Sequence, residues 1–229
     1  MEAAFVITLE VLKRLEQIMR ERSGKPDLVL SDYLDYVAGT STGAIIATCI
    51  SIGMTVDSIA TFYHESGPAM FSRAGLLKRF WHKFKDESLA EQLQTVLGKE
   101  TTLGDPKIRT LLMLVLRNAT TDSPWPVSNN PRAKYNLRRR PDCNLNLPLW
   151  QLVRASTAAP TYFPPELVTV GMQDFLFVDG GVTMYNNPAF QMFLMATLEP
   201  YQRQWRAGVE NMLVISIGTG TSPSPDANL

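Results

Sequence analysis

The sequence predicts an α/β fold, and three observations carry that prediction. Short apolar runs of strand length recur at 110–116, 175–178 and 212–217. The first is continuous, as a strand covered on both faces would be. Between these runs lie stretches whose apolar residues return at helical spacing. Finally, an apolar-rich run at 33–38 leads into Gly39-Thr40-Ser41-Thr42-Gly43, and a small-residue helical run leaves it. That is the strand–turn–helix order of a βα unit built around a G-x-S-x-G motif.

Taken in order, Ile7, Val11, Leu12, Leu15, Ile18 and Met19 recur at helical spacing, with Lys13, Arg14, Glu16 and Arg20 between them. This predicts an amphipathic helix to about Arg22, stopped by Ser23-Gly24-Lys25-Pro26. No strand precedes it, which is unusual for the class. Ala44–Ile52 reads as an apolar helix closed by Gly53, with Cys49 as plain core. Thr55 caps a further helix through about Glu65, ended by Gly67-Pro68. His64 on that helix reads first as a polar helix residue and only second as a catalyst.

Arg73–Lys85 carries five Lys or Arg residues and no acid. On a helical wheel Leu76, Leu77, Phe80, Trp81 and Phe84 fall on one side, while Lys78, Arg79, His82, Lys83 and Lys85 fall on the other. Two readings stand: a helix lying at a lipid interface, or a helix capping its own core with a solvated basic face. Glu87–Leu97 is a further helix, capped by Asp86 or Ser88 and ended by Gly98. Residues 120–148, rich in Pro, Asn, Asp and Ser, read as a long irregular excursion. Its Arg138-Arg139-Arg140 run is solvated loop or a contact for an anionic headgroup.

Leu149–Ala158 returns to helix, stopped at Ala158-Ala159-Pro160. The run Phe175-Leu176-Phe177-Val178 is a strand ending in Asp179-Gly180-Gly181, and Asn186-Asn187-Pro188 restarts a helix to about Leu198. Met212–Ile217 reads as another buried strand, followed by Gly218-Thr219-Gly220. That glycine pair lacks the third glycine and the lysine of nucleotide loops.

The turn at Ser41 is sharp enough that the positions two before and two after it are expected to be nearly side-chain-free, as Gly39 and Gly43 are. Ser41 then stands at a helix N-terminus, where free N–H groups favour developing negative charge. The competing reading is a tight βα turn with a capping serine or a small phosphate nest. For a nucleophilic Ser41, the base is the next question. The sequence holds two histidines, His64 and His82, and none follows Asp179, so the Ser–acid–His order of ordinary α/β-hydrolases is closed. Asp179 is the remaining candidate at a strand end, and strand ends in an open α/β sheet converge on one crevice. A carboxylate is a weak base at its ordinary pKa of about 4; partial burial would raise it. As an Asp-Gly turn residue, Asp179 would have no such role.

The bulk composition narrows the partners. Lys plus Arg and Asp plus Glu are both 22, so no nucleic acid or other polyanion is implied. Cys49 and Cys143 are too few for a disulfide framework, and no metal-ligand spacing occurs. No cofactor or metal is expected. No signal segment and no run of ~18 apolar residues is present. The expectation is a cytoplasmic protein whose contact with a membrane is peripheral.

Gly39-Thr40-Ser41-Thr42-Gly43 with Asp179-Gly180-Gly181 resembles the patatin-like phospholipases, lipid acyl hydrolases with a Ser–Asp dyad. The segments Leu152–Pro164, Asn186-Asn187-Pro188-Ala189 and Ile215–Gly220 resemble further family segments in the same order, so the likeness covers about residues 4–220. It implies a three-layer α/β/α sandwich with a mostly parallel central sheet. It also implies Ser41 as nucleophile and Asp179 as base, with Gly39, Thr40, Thr42, Gly43, Gly180 and Gly181 shaping the backbone around them. The family opens with a strand and a G-G-G-x-[RK]-G loop that forms its oxyanion hole; here Met1–Phe5 stands where that loop would be finishing. The expectation is one domain over residues 1–229, incomplete at the N-terminus and at the C-terminus. The implied function is hydrolysis of a lipid carboxylic ester through an acyl-enzyme. Its rivals are a catalytically impaired lipid-surface binder and a soluble serine esterase of small esters.

Overall fold

In the computed structural model, which describes residues 2–71 and 82–218, the run before the serine turn forms strand β1 (Tyr36–Thr40) and the run at 110–116 forms β2 (Leu111–Asn118). Strands β3 (Ser123–Ser128), β4 (Glu166–Val170) and β5 (Gln173–Asp179) complete the sheet among the described residues. Its order is β1-β2-β5-β4, with β3 also on β2.

Strand β2 shows why the protein has three layers. Its apolar residues alternate between two faces: Leu112, Leu114 and Leu116 enter one core cluster, Met113 and Val115 the other. With no polar face, the strand must be covered on both sides. The first cluster takes in α1 (Glu2–Ser23), α2 (Thr42–Ser51), α3 (Val56–Phe71), α4 (His82–Leu97) and α5 (Leu149–Ser156) through residues such as Leu12, Ile45, Ile59, Leu93 and Leu152. On the opposite face, α6 (Ala189–Thr197) brings Met195 and Met192 against Met113, Val115 and Tyr36. The α/β/α architecture stands as expected.

The polarity of the sheet differs from the expectation of a mostly parallel one. Among the described residues only β1 and β2 pair in parallel; β2–β3, β2–β5 and β4–β5 are antiparallel, and the sheet is mixed. The short connections 119–122 and 171–172 account for two of these pairs, since connections of that length can join only antiparallel neighbours.

Strand β3 lies inside the stretch expected to be irregular. Pro124 and Pro126 conceal it, because proline cannot donate to a ladder and reads as a strand breaker; an edge strand tolerates both. Its Trp125 stacks on Phe177 of β5 at 4.8 Å between ring centroids.

The helix ends also shift. Helix α3 begins at its predicted cap, where the Ser58 N–H donates to Thr55 Oγ1 at 3.1 Å, but continues through Gly67-Pro68 to Phe71. A helical proline forfeits one backbone bond, a cost that a helix packed on its neighbours can carry. Helix α4 starts at His82, ahead of the caps expected at Asp86 or Ser88, which are therefore interior. The proposed interfacial residues Leu76, Leu77, Lys78, Arg79, Phe80 and Trp81 lie outside the described residues; Lys83 and Phe84 fall in the first turn of α4, their side chains outside the description.

Met212–Ile217 is not a strand. Leu213, Val214 and Ile215 are exposed, and the segment joins no ladder among the described residues. Ser216 exchanges hydrogen bonds with Asn187 instead, at 3.2 and 3.4 Å. An apolar run becomes a strand only where a sheet edge meets it, which composition cannot supply.

Candidate active site

Strand β1 delivers the chain to Ser41 in an unusual conformation, with φ 57° and ψ −127°. A non-glycine residue held there costs on the order of 1–3 kcal/mol and persists only where its surroundings fix it. The Ala44 N–H closes the turn onto the Ser41 carbonyl at 2.8 Å, and α2 begins at Thr42. As the first helical residue, Thr42 has an N–H with no acceptor inside the helix. Of the two glycines expected to be forced by this turn, only Gly39 is: the space where Gly43 would carry a Cβ is open. Gly43 faces outward from the first turn of α2, so the close approach involves its carbonyl and not its α-carbon.

The Ser41 hydroxyl donates to Asp179 Oδ2 at 2.5 Å, across 138 residues of chain. The other carboxylate oxygen, Oδ1, accepts the Gly181 N–H at 2.6 Å, while the Asp179 N–H donates to the Ala158 carbonyl at 3.0 Å. Asp179 is 5% exposed. Burial pushes its carboxyl above the usual carboxylate range, and the hydrogen bonds from Ser41 and Gly181 offset that only in part.

The two residues meet for a reason other than parallel strand ends opening on one crevice. In the β2 register, Thr40 is the partner of Val115 and Asp179 is the partner of Leu116. Strand β3 pairs with both Val115 and Leu116, so β1 and β5 share the opposite edge of β2. They run toward each other along that edge and stop head to head, leaving Ser41 beside Asp179. Gly180 permits the junction, since a Cβ there would stand 2.1 Å from the Val115 carbonyl oxygen.

Other contacts close the surroundings. The Thr40 hydroxyl donates to the Tyr185 carbonyl at 3.0 Å, and the Tyr63 hydroxyl to the Thr42 carbonyl at 3.1 Å. Ser156, at the end of α5, accepts the Ser41 N–H at 3.0 Å. The sequence assigns such a part to neither Tyr63 nor Ser156: a lone hydroxyl on a helix has no periodic signal, and the family-like segment Leu152–Pro164 marks Ser156 without giving it a role. His64 is exposed on α3, and the group on Ser41 is Asp179. The Cys49 thiol, pushed up to about 12 by burial, is core. Among the described residues, no group of three or more His, Cys, Asp or Glu is placed to hold a metal ion.

A protein-family profile described as "Patatin-like phospholipase" matches residues 3–193. The chain belongs to the patatin-like phospholipase family. It is 28% identical to Patatin-T5 of Solanum tuberosum over 240 residues, and 29% identical to Patatin-17 of Solanum cardiophyllum over 238. Each alignment covers 96% of this chain and 58% of the relative, so the chain spans a little over half the length of these patatins. Among solved structures, VipD from Legionella pneumophila aligns with a TM-score of 0.45 and 16% identity, over 76% of this chain and 44% of that one. Within the patatin-like segment matched here, Ser41 and Asp179 both fall inside residues 3–193. No helix among the described residues is long and apolar enough to cross a membrane.

Proposed function

We propose that the protein hydrolyses carboxylic esters of lipids, with Ser41 as nucleophile and Asp179 as its base. The observation that carries this reading is the 2.5 Å hydrogen bond from Ser41 Oγ to a buried carboxylate, made by a serine in a positive-φ elbow. Asp179 Oδ2 accepts the hydroxyl proton while Oγ attacks the acyl carbon. The oxyanion forms next to the start of α2, where the Thr42 N–H is one available donor. Collapse releases the alcohol, which takes the proton from Asp179. A water then gives its proton to Asp179 and attacks the acyl-Ser41 carbonyl; the acid leaves, and Oγ recovers its proton.

A raised carboxyl suits this task, since a base nearer the operating pH takes a proton more readily from serine. Membership of the patatin-like family supports a lipid ester over a small one. So do the exposed Val182, Met184 and Phe190 on the segments that follow Asp179. Turnover of a p-nitrophenyl acyl ester, with fluorophosphonate labelling located by mass spectrometry, tests the reading. Label on Ser41 and turnover lost in Ser41→Ala are expected; turnover with the label elsewhere would sink it.

A further inference from the structure

We propose that Ser156 is a positioning residue for the nucleophile: its hydroxyl holds the Ser41 backbone at the point where β1 leaves the sheet. The last residues paired between β1 and β2 are Thr40 and Val115. One residue further on, the Ser156 hydroxyl stands between the two strands. It accepts from the Ser41 N–H at 3.0 Å and donates to the Val115 carbonyl at 2.7 Å. A serine hydroxyl has one proton. Committing it to Val115 turns a lone pair toward Ser41, so the direction of both bonds is set. Ser156 thus extends the ladder by one link where direct pairing has stopped, and lets the backbone turn into the elbow without leaving either group unpaired.

The location makes this more than a satisfied buried serine. Ser156 is fully buried. The Ser41 conformation it touches, at φ 57°, depends on its surroundings to persist. Two residues on, the Ala158 carbonyl takes the Asp179 N–H at 3.0 Å. The end of α5 and the turn that follows it therefore grip the backbone of both members of the pair, and Val115 is common ground: it binds Ser156 and abuts Gly180. The effect on turnover rests on the hydrolase reading; the hold on the Ser41 N–H does not.

Ser156→Thr and Ser156→Val differ at this site by a hydroxyl in place of a methyl, and test both parts. Residue-resolved hydrogen exchange should find the Ser41 amide protected in the wild type and in Ser156→Thr, and exchanging at least ~10-fold faster in Ser156→Val, with the Leu114 amide unchanged. With a soluble acyl ester, kcat should fall at least ~10-fold in Ser156→Val, KM should hold, and Ser156→Thr should stay within about threefold of wild type. If the added methyl unfolds both variants, Ser156→Ala takes the place of Ser156→Val against the wild type. Equal Ser41 exchange with and without the hydroxyl would overturn the proposal, as would equal kcat in the Thr and Val variants. Faster Ser41 exchange in a protein that hydrolyses no ester would keep Ser156 in its place and remove the hydrolase reading.

Discussion

A Cβ on Gly39 would stand 2.0 Å from the carbonyl oxygen of Gly43, a distance no side chain can occupy. The obstacle is backbone in the first turn of α2, which cannot swing aside. Gly39→Ala is therefore expected to lose about 3 kcal/mol or more, the upper range for forced over-packing. Gly43→Ala adds its methyl to open space at a helical position, where alanine is favoured over glycine by roughly 1 kcal/mol. Urea unfolding of the two variants checks the contrast; equal losses would mean that the elbow is not packed this way.

The strain at Ser41 separates a side-chain role from a backbone one. Ser41→Ala and Ser41→Gly both remove Oγ, and each should lower ester turnover by more than ~10³-fold. They differ in backbone freedom, because alanine keeps the penalty of φ 57° and glycine does not. The Gly variant is expected to be more stable than the Ala variant by on the order of 1 kcal/mol. Thermal unfolding of both variants measures the gap; an Ala variant as stable as the Gly variant would argue against stored strain.

The parts of the fold legible in the sequence are those whose signals are local. Gly39 to Gly43 mark the turn by chemistry, β2 and β5 show as apolar runs, and Thr55 announces the cap that Ser58 uses. Asp179 is found by elimination of histidine. What local pattern cannot supply is which way strands run and who receives them. Strand β5 has the composition expected of it but arrives from the opposite direction, and β3 hides behind Pro124 and Pro126. Met212–Ile217 has every local mark of a strand and no partner strand among the described residues. Ser156 is the same lesson at the site: its meaning lies in Ser41 and Val115, 115 and 41 residues away.

The basic and aromatic composition of Arg73–Lys85 makes a separate prediction about lipid surfaces. Attraction to anionic lipid is worth about 1 kcal/mol per basic residue near the surface. Replacing Lys78, Arg79 and Lys83 with Gln should weaken sedimentation with anionic vesicles and reduce its salt dependence. Hydrolysis of a soluble monomeric ester should stay near wild type. Vesicle binding that survives the triple change would assign this segment to the protein's own core.

Asp179 should set stability and activity against each other across pH. Burial holds its carboxyl above the ordinary range despite the hydrogen bonds from Ser41 and Gly181, so the native state keeps a proton that the unfolded chain has lost. Between the ordinary value of about 4 and the raised native value, stability therefore falls as pH rises, and the deficit stays constant above that window. Asp179→Asn carries no charge. Its amide oxygen can accept the Gly181 N–H while its NH₂ donates to Ser41 Oγ, so both contacts survive. The variant should melt higher than wild type near neutral pH, with the difference closing as pH falls below the ordinary carboxylate range. Activity makes the reverse demand. Wild-type kcat/KM should rise with pH along a limb centred above the ordinary carboxylate value, Asp179→Asn should lose nearly as much turnover as Ser41→Ala, and His64→Ala should change little. Calorimetry and a pH–rate profile on the same preparations check both halves. If Asp179→Asn melts below wild type at neutral pH, or if the activity limb sits at the ordinary carboxylate value, burial does not control this group.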